Sequence, residues 1–352
     1  MNKIIASSLI HSENKSFELM PIVFVHLNDS IPEYLKTNIK RNIKFFPKNQ
    51  IVLIMNQAAE KLEIKGLSVY IYEEDSRWSA LESLLSHPKD FRKNFWLTSL
   101  ARFLALEQFL DKYKKEILHV ESDVLLAKDF PFSKLSMMVE PIAFPVVSLE
   151  RGVASTVYIR NADICKKLND FAILQANMDS QLSDMLLLRQ FYNLFPKEVC
   201  ILPSGPKNSI NYKENIEIDL LNRFVKGIDY FNGVFDGNDL GVFIFGTNPI
   251  NLRGKSILRS EINLNYAHIR KWQTNYSEKR RFIDMIASDQ TVLPVYSIHA
   301  TVKTKSIFSI NEKNRIMKKR IKQASQPMKN VLHFKVLIKQ LRISILKRLR
   351  YR

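Results

Sequence analysis

Apolar residues in the first third of the chain fall in short unbroken runs separated by polar, helix-forming stretches. Pro21-Ile22-Val23-Phe24-Val25-His26-Leu27 is apolar and β-branched and ends in Asn28-Asp29-Ser30, a turn and helix-start signal. It predicts a buried strand followed by a helix from Tyr34 to Phe45. Ile51 to Met55 predicts a second buried strand ending at Asn56, and Leu67 to Tyr72 a third ending at Glu73-Glu74-Asp75. Uninterrupted apolar strands alternating with helices imply an α/β fold with a mostly parallel sheet covered on both faces. Ligands in such sheets bind at the carboxyl ends of the strands, which is where Asn28, Asp29, Asn56, Glu73 and Asp75 fall.

From Phe95 to Tyr113, apolar residues recur at three- and four-residue spacing, predicting a long amphipathic helix with Arg102 at its middle. Arg102 suits either of two roles: a side chain snorkelling at the edge of the buried stripe, or a cation aimed at a phosphate or sugar. Ile117 to Leu126 predicts a fourth buried strand that admits two carboxylates. Alternation along a strand would point His119, Glu121 and Asp123 to one face. Burying two carboxylates close together costs several kcal/mol unless a cation or hydrogen-bond donors compensate. A divalent metal would compensate, and hard oxygen ligands suit Mg2+ or Mn2+. A solvated strand end carrying ordinary acids is the alternative.

Composition narrows the field. The chain has 352 residues, 46% hydrophobic, with 53 Lys plus Arg against 35 Asp plus Glu, a net charge of +18. Such apolar content excludes wholesale disorder, and the sign raises nucleic acid and anionic membrane as partners. Cys165 and Cys200 alone make neither a disulfide framework nor a four-thiolate metal site, so the cytosol is the default compartment. Residues 1–17 read as a polar leader, because Ser7, Ser8 and His11 interrupt the apolar run a signal peptide needs. No segment approaches the roughly 20 apolar residues that span a bilayer. Glycine is scarce, 9 in all, and seven of these lie between residues 205 and 254. They assemble neither a P-loop nor a dinucleotide fingerprint. Their clustering implies that backbone within 233–246 turns sharply or approaches something closely.

With these residues in view, the chain resembles nucleotide-sugar glycosyltransferases of the GT-A type, in the manner of bacterial enzymes of glycan and polysaccharide biosynthesis. The likeness runs from about residue 20 to residue 308 and rests on the strand Pro21 to Leu27, the helix with Arg102, and Glu121-Ser122-Asp123, a DXD-like triplet. Ala154 to Asn161 is similar to the strand under the donor sugar, Asp184-Met185-Leu186-Leu187 to the acidic helix start that follows, and Ile201-Leu202-Pro203 to the next strand. Pro294 to His299 looks like a strand ending in a metal-binding histidine, followed by Thr301 and Lys303.

The resemblance implies metal-dependent transfer from a nucleotide-sugar donor to a glycan or glycolipid acceptor. It makes Asp123 and His299 ligands of Mn2+ or Mg2+. Glu121 reaches the metal through water or contacts the ribose. Asn28, Asn56, Arg102, Ser155 and Lys303 join Glu121 in donor binding. Arg102 or Lys303 stabilises the departing diphosphate. An inverting enzyme also needs a general base, and Asp184, Asp236, Asp239 and Asp289 are the candidates. Asp236, inside the glycine cluster, is the first choice for base or acceptor contact, and Asp184 for donor-sugar hydroxyls. The run Gly233 to Gly241 equally suits turns joining two strands. Trp78, Trp96, Tyr158 and Trp272 suit core packing better than base stacking.

The tail from residue 311 to 352 holds fourteen basic residues and one acid, so it carries +13 of the +18. After Pro327, Val331, Phe334, Ile338, Leu341, Ile345 and Leu349 follow helical spacing beside Lys335, Lys339 and Arg342. That is a basic amphipathic helix fit for an anionic membrane surface or for packing on its own domain. Phe334 and Tyr351 are its only aromatics, too few to favour nucleic acid. The sequence thus divides into a leader, a catalytic domain over 18–310 and a basic tail. The expected protein is cytoplasmic and peripheral at the cytoplasmic face of a membrane. A metal-dependent phosphohydrolase at the same acidic strand end, and a basic membrane- or RNA-binding protein, are the other classes the pattern allows.

Overall fold

A computed structural model describes residues 19–241 and 273–300, apart from 29, 47–50, 57–61, 89–93, 149–150, 207–217, 239, 278–281 and 287–290. The described chain falls into two compact units. One holds residues up to Ser122, Pro131–Phe144 and Glu150–Cys200; the other holds Asp123–Phe130, Pro145–Leu149 and the residues from Ile201 onward. The leader and the basic tail lie outside the described residues. No described helix is long and apolar enough to cross a membrane.

The first unit begins with β1 (Ile22–His26), α1 (Glu33–Phe45), β2 (Ile51–Met55) and β3 (Ser68–Ile71). Then come α2 (Ser76–Leu84), α3 (Phe95–Tyr113) and β4 (Ile117–Val120). The chain passes through β5 (Val124–Leu126) of the second unit and returns in α4 (Phe132–Ser136). The opening of β6 (Ile142–Ser148), a two-residue β7 (Arg151–Gly152), β8 (Thr156–Ile159), α5 (Ala162–Met178), α6 (Asp184–Leu194) and the start of β9 (Val199–Leu202) complete it. The strands run in the order β3-β2-β1-β4-β8-β6. The first four are mutually parallel, and β8 is antiparallel to β4 and to β6. The mostly parallel sheet expected from the apolar runs is present.

Burial explains which strands were legible. All five residues of β2 are buried, as a strand covered on both faces requires. β3 corrects the expectation of a third buried strand. It is the sheet edge, with Val69 43% and Ile71 41% exposed while Tyr70 is buried. Eleven of the nineteen residues of α3 are buried, since the helix packs against α2, α5, α6 and β1 at once.

The predicted strand from Ile117 to Leu126 is two strands. β4 ends at Val120 in the first unit's sheet, Glu121-Ser122-Asp123 forms a turn, and β5 belongs to a different sheet. The alternation argument that put His119, Glu121 and Asp123 on one face therefore fails. Unbroken apolarity on both sides of the triplet hid the change of sheet.

In the second unit, α7 (Ile218–Phe231) precedes β10 (Val234–Phe235), then β11 (Gln273–Ser277), β12 (Phe282–Ile286) and the eight-residue β13 (Val292–His299). β13 organises the sheet. Its first residues pair antiparallel with β12 and its last three with β5, and β10 runs parallel beside it. Phe231, Phe235, Tyr296 and Phe130 form a ring cluster there, with successive centroids 5.0, 5.3 and 6.4 Å apart.

Truncating Ile54, fully buried in β2, to Ala should cost about 2–5 kcal/mol. Val69→Lys on the exposed edge should change stability by less than about 0.5 kcal/mol. Urea unfolding of both variants checks the contrast.

Candidate metal and donor site

Glu121 and Ser122 are held by hydrogen bonds within the first unit. Within the first unit, the Ser122 carbonyl accepts from Asn38 Nδ2 at 3.1 Å, and its hydroxyl lies 3.4 Å from that of Tyr34. The Glu121 amide donates to the Ser155 carbonyl at 3.1 Å. α1 carries Tyr34 and Asn38 to this turn because both fall on its inner side, where Leu35, Asn38 and Ile39 are fully buried.

Arg102 is buried, not snorkelling. Its Nη1 donates to Glu121 Oε1 at 2.6 Å, its Nη2 to Asp184 Oδ2 at 2.7 Å and its Nε to the Ser99 carbonyl at 2.6 Å. One guanidinium thus bridges two carboxylates from distant parts of the chain, a planar two-armed match that Lys cannot copy. Asp184 opens α6 one residue after the Ser183 cap, whose hydroxyl accepts from the Leu186 amide. Burial pushes the Asp184 carboxyl above the usual range, with Arg102 pulling the other way. His119 is buried behind this turn. Its Nδ1 faces the Val23 carbonyl at 3.1 Å and so must be the donor, and Nε2 has no partner among the described residues. Burial, reinforced by Arg102, holds its pKa down to about 3, so it is neutral at physiological pH.

The second unit brings Asp123 to His299. The β5–β13 register sets Val124 opposite His299, and the Ala300 amide donates to the Asp123 carbonyl at 2.8 Å. That pairing leaves His299 Nε2 3.3 Å from Asp123 Oδ1. The other ring nitrogen, Nδ1, lies 3.2 Å from the Gly237 carbonyl. A carbonyl only accepts, so Nδ1 carries a proton, and Nε2 is the nitrogen turned toward the carboxylate oxygen. A carboxylate oxygen and an imidazole nitrogen at this distance suit a shared proton or a metal ion. A histidine that donates one nitrogen to a backbone carbonyl and offers the other is oriented as metal-ligating histidines are.

Asp236 is fully enclosed. Its Oδ1 accepts from the Leu240 amide at 3.1 Å, and its Oδ2 from the amides of Gly241 at 2.7 Å and His299 at 3.0 Å. Burial pushes this carboxyl up while the amides, His299's first, pull it down. The expected close approach of glycine backbone is real, and what approaches is β13. A Cβ on Gly241 would lie 1.7 Å from the His299 carbonyl oxygen, and one on Gly233 would lie 2.2 Å from the Tyr296 ring. The sequence missed this role for Asp236, although Gly237 and Gly241 marked the loop that performs it.

Of the remaining predicted residues, Asn28 is partly exposed at the end of β1. Asn56 donates to the Leu27 carbonyl at 3.3 Å, and its Oδ1 has no partner among the described residues. Ser155 is fully buried and supplies the carbonyl that holds Glu121. Trp96 stacks on His87 at 4.7 Å, Trp78 lies 6.2 Å from Tyr72, and Tyr158 donates to Glu116 at 2.7 Å. Asp239, Trp272, Asp289, Thr301 and Lys303 lie outside the described residues.

No known protein family matches this sequence, and no curated protein does. Among solved structures, mouse xyloside xylosyltransferase 1 in its apo form is similar at 9% identity and a TM-score of 0.36, over 52% of this chain and 85% of that one. The PaToxG glycosyltransferase is similar at 12% and 0.35, over 50% and 68%. A glycosyltransferase involved in glycosylating the major capsid of PBCV-1 is similar at 10% and 0.31, over 51% and 77%.

Replacing Arg102 with Met should destabilise the protein by about 3–5 kcal/mol, because the buried Asp184 and the half-buried Glu121 lose their shared cation. Because Asp184 is raised in the folded state, its contribution to stability is complete below the unfolded value near 3.8 and is lost as pH rises through the folded value. Asp184→Asn should therefore remove a decline in stability on going from pH 4 toward neutrality. Urea unfolding of parent and variant across that range reads the difference.

Proposed function

We propose that the protein is a GT-A type glycosyltransferase that uses a divalent metal to move a sugar from a nucleotide-sugar to a glycan or glycolipid acceptor at a membrane face. The observation that carries this reading is His299 Nε2 lying 3.3 Å from Asp123 Oδ1 while Nδ1 is held at the Gly237 carbonyl. One hard oxygen and one imidazole nitrogen suit Mn2+ or Mg2+, with the rest of the shell left for diphosphate and water. Glu121, held by Arg102, contacts the donor ribose. A bound metal would neutralise the charge that grows on the departing nucleoside diphosphate.

The chain's own groups supply the rest. Asn28 and Asn56 stand at the carboxyl ends of β1 and β2, where an α/β sheet binds its ligand, and they contact the nucleoside. Asp184 meets donor-sugar hydroxyls from the head of α6. Lys303 lies four residues beyond His299 and reaches the diphosphate. The neutral His119 and the Arg102 pairs keep the interior beneath the triplet close to charge balance. Residues 328–352 attach the protein to an anionic membrane surface on the cytoplasmic side, and nucleic acid is not a partner.

Thermal-shift screening of UDP-, GDP-, CMP- and dTDP-sugars with and without Mn2+ should give a metal-linked shift with one donor, abolished by Asp123→Ala. The same variant should lose about 10²-fold or more in sugar transfer. Acceptor-independent release of orthophosphate would instead mark a phosphohydrolase. Flotation with anionic liposomes should be lost on deleting residues 328–352, and unchanged flotation would remove the membrane assignment.

A further inference from the structure

Asp236 has the wrong surroundings for a general base and the right ones for another task. It is 0% exposed, and three backbone amides converge on its two oxygens. One of those amides belongs to His299 itself. The same loop closes on His299 from the other side, since the Gly237 carbonyl accepts from His299 Nδ1. The Asp236 amide in turn donates to the Ser297 carbonyl of β13 at 3.1 Å. The loop therefore grips the end of β13 at the Ser297 carbonyl, at the His299 amide and at one ring nitrogen. Gly241 lets backbone come where no side chain fits, its Cβ position lying 1.7 Å from the His299 carbonyl oxygen and 3.0 Å from Asp236 Oδ2.

We infer that Asp236 is a positioning residue: its carboxylate folds residues 236–241 around the end of β13 so that the Gly237 carbonyl fixes the His299 proton on Nδ1 and Nε2 faces Asp123. The assignment rests on the metal reading for its purpose but not for its geometry. An uncharged amide cannot substitute. Asn at 236 would accept with one oxygen, and whichever way it turned, its NH2 would face an amide N–H that the carboxylate now satisfies, leaving a buried donor unpaired. The loop would loosen, and the Gly237 carbonyl would no longer select one tautomer. Residues that orient a metal-binding histidine in this way typically contribute 10–100-fold in metal affinity.

The test reads the ring directly. In metal-free parent protein at pH 8, nitrogen-15 NMR of the His299 imidazole, assigned by its absence in His299→Gln, should show the proton on Nδ1. Asp236→Asn should give a mixture of tautomers and weaken Mn2+ binding, followed by electron paramagnetic resonance, about 10–100-fold. Gly241→Ala should do the same by forcing the loop off β13. A proton on Nε2 in the parent would overturn the proposal, and this needs no variant to fold. Unchanged tautomer and Mn2+ affinity in a folded Asp236→Asn protein would overturn it as well, while leaving the metal reading intact. A parent that shows the Nδ1 tautomer, loses it in Asp236→Asn and binds no Mn2+ would uphold the positioning role and remove the metal reading.

Discussion

The antiparallel pairing of β5 with the end of β13 is the constraint on which the Asp123–His299 pair depends. Asp123 and His299 are far apart in the chain, and closing so long a loop carries an entropic cost that grows slowly with length but must be met before any contact forms. The pairing meets it with an apolar strand on each side: Val124, Leu125 and Leu126 are fully buried opposite His299, Ile298 and Ser297. The polar pair sits at the end of this ladder, where Asp123 and Ala300 exchange a backbone hydrogen bond. Packing of the apolar strands thus decides where Asp123 and His299 meet.

Charge compensation does the corresponding work in the first unit. Glu121 and Asp184 are drawn out of water by the burial of α3 and the head of α6, and Arg102 answers both through separate arms of one guanidinium. His119 avoids the problem by staying neutral. The strategies are complementary. Where a cation is built into the fold, Glu121 and Asp184 are paired with it; Asp123 lies instead beside an imidazole nitrogen of His299, at 3.3 Å.

Much of this was legible in the sequence, and the failures share a cause. β1, β2 and α3 could be read within a residue because a strand buried over most of its length is an apolar run and a packed helix repeats at 3.6. β3 looked identical to them, since Val69 and Ile71 do not reveal that the sheet stops there. The run from Ile117 to Leu126 looked like one strand because apolarity records burial and not which sheet does the burying. Asp123 and His299 could be named from the resemblance of their surroundings, but Arg102's two partners lie 19 and 82 residues away along the chain, beyond any local pattern. The glycine cluster announced a close backbone approach. Only coordinates could show that the approaching body was the protein's own strand.

The position of β13 so late in the chain has a consequence for how the protein is made. A ribosome that adds roughly 5–20 residues per second finishes β5 on the order of ten seconds or more before it finishes β13. Throughout that interval Val124-Leu125-Leu126 is a ready-made apolar strand whose partner does not yet exist. The first unit can gather its parallel strands as they emerge, while Asp123 must wait for almost the whole chain. The Asp123–His299 pair is thus the last part of the described molecule to be assembled, and a chain released early would carry the parallel strands without it.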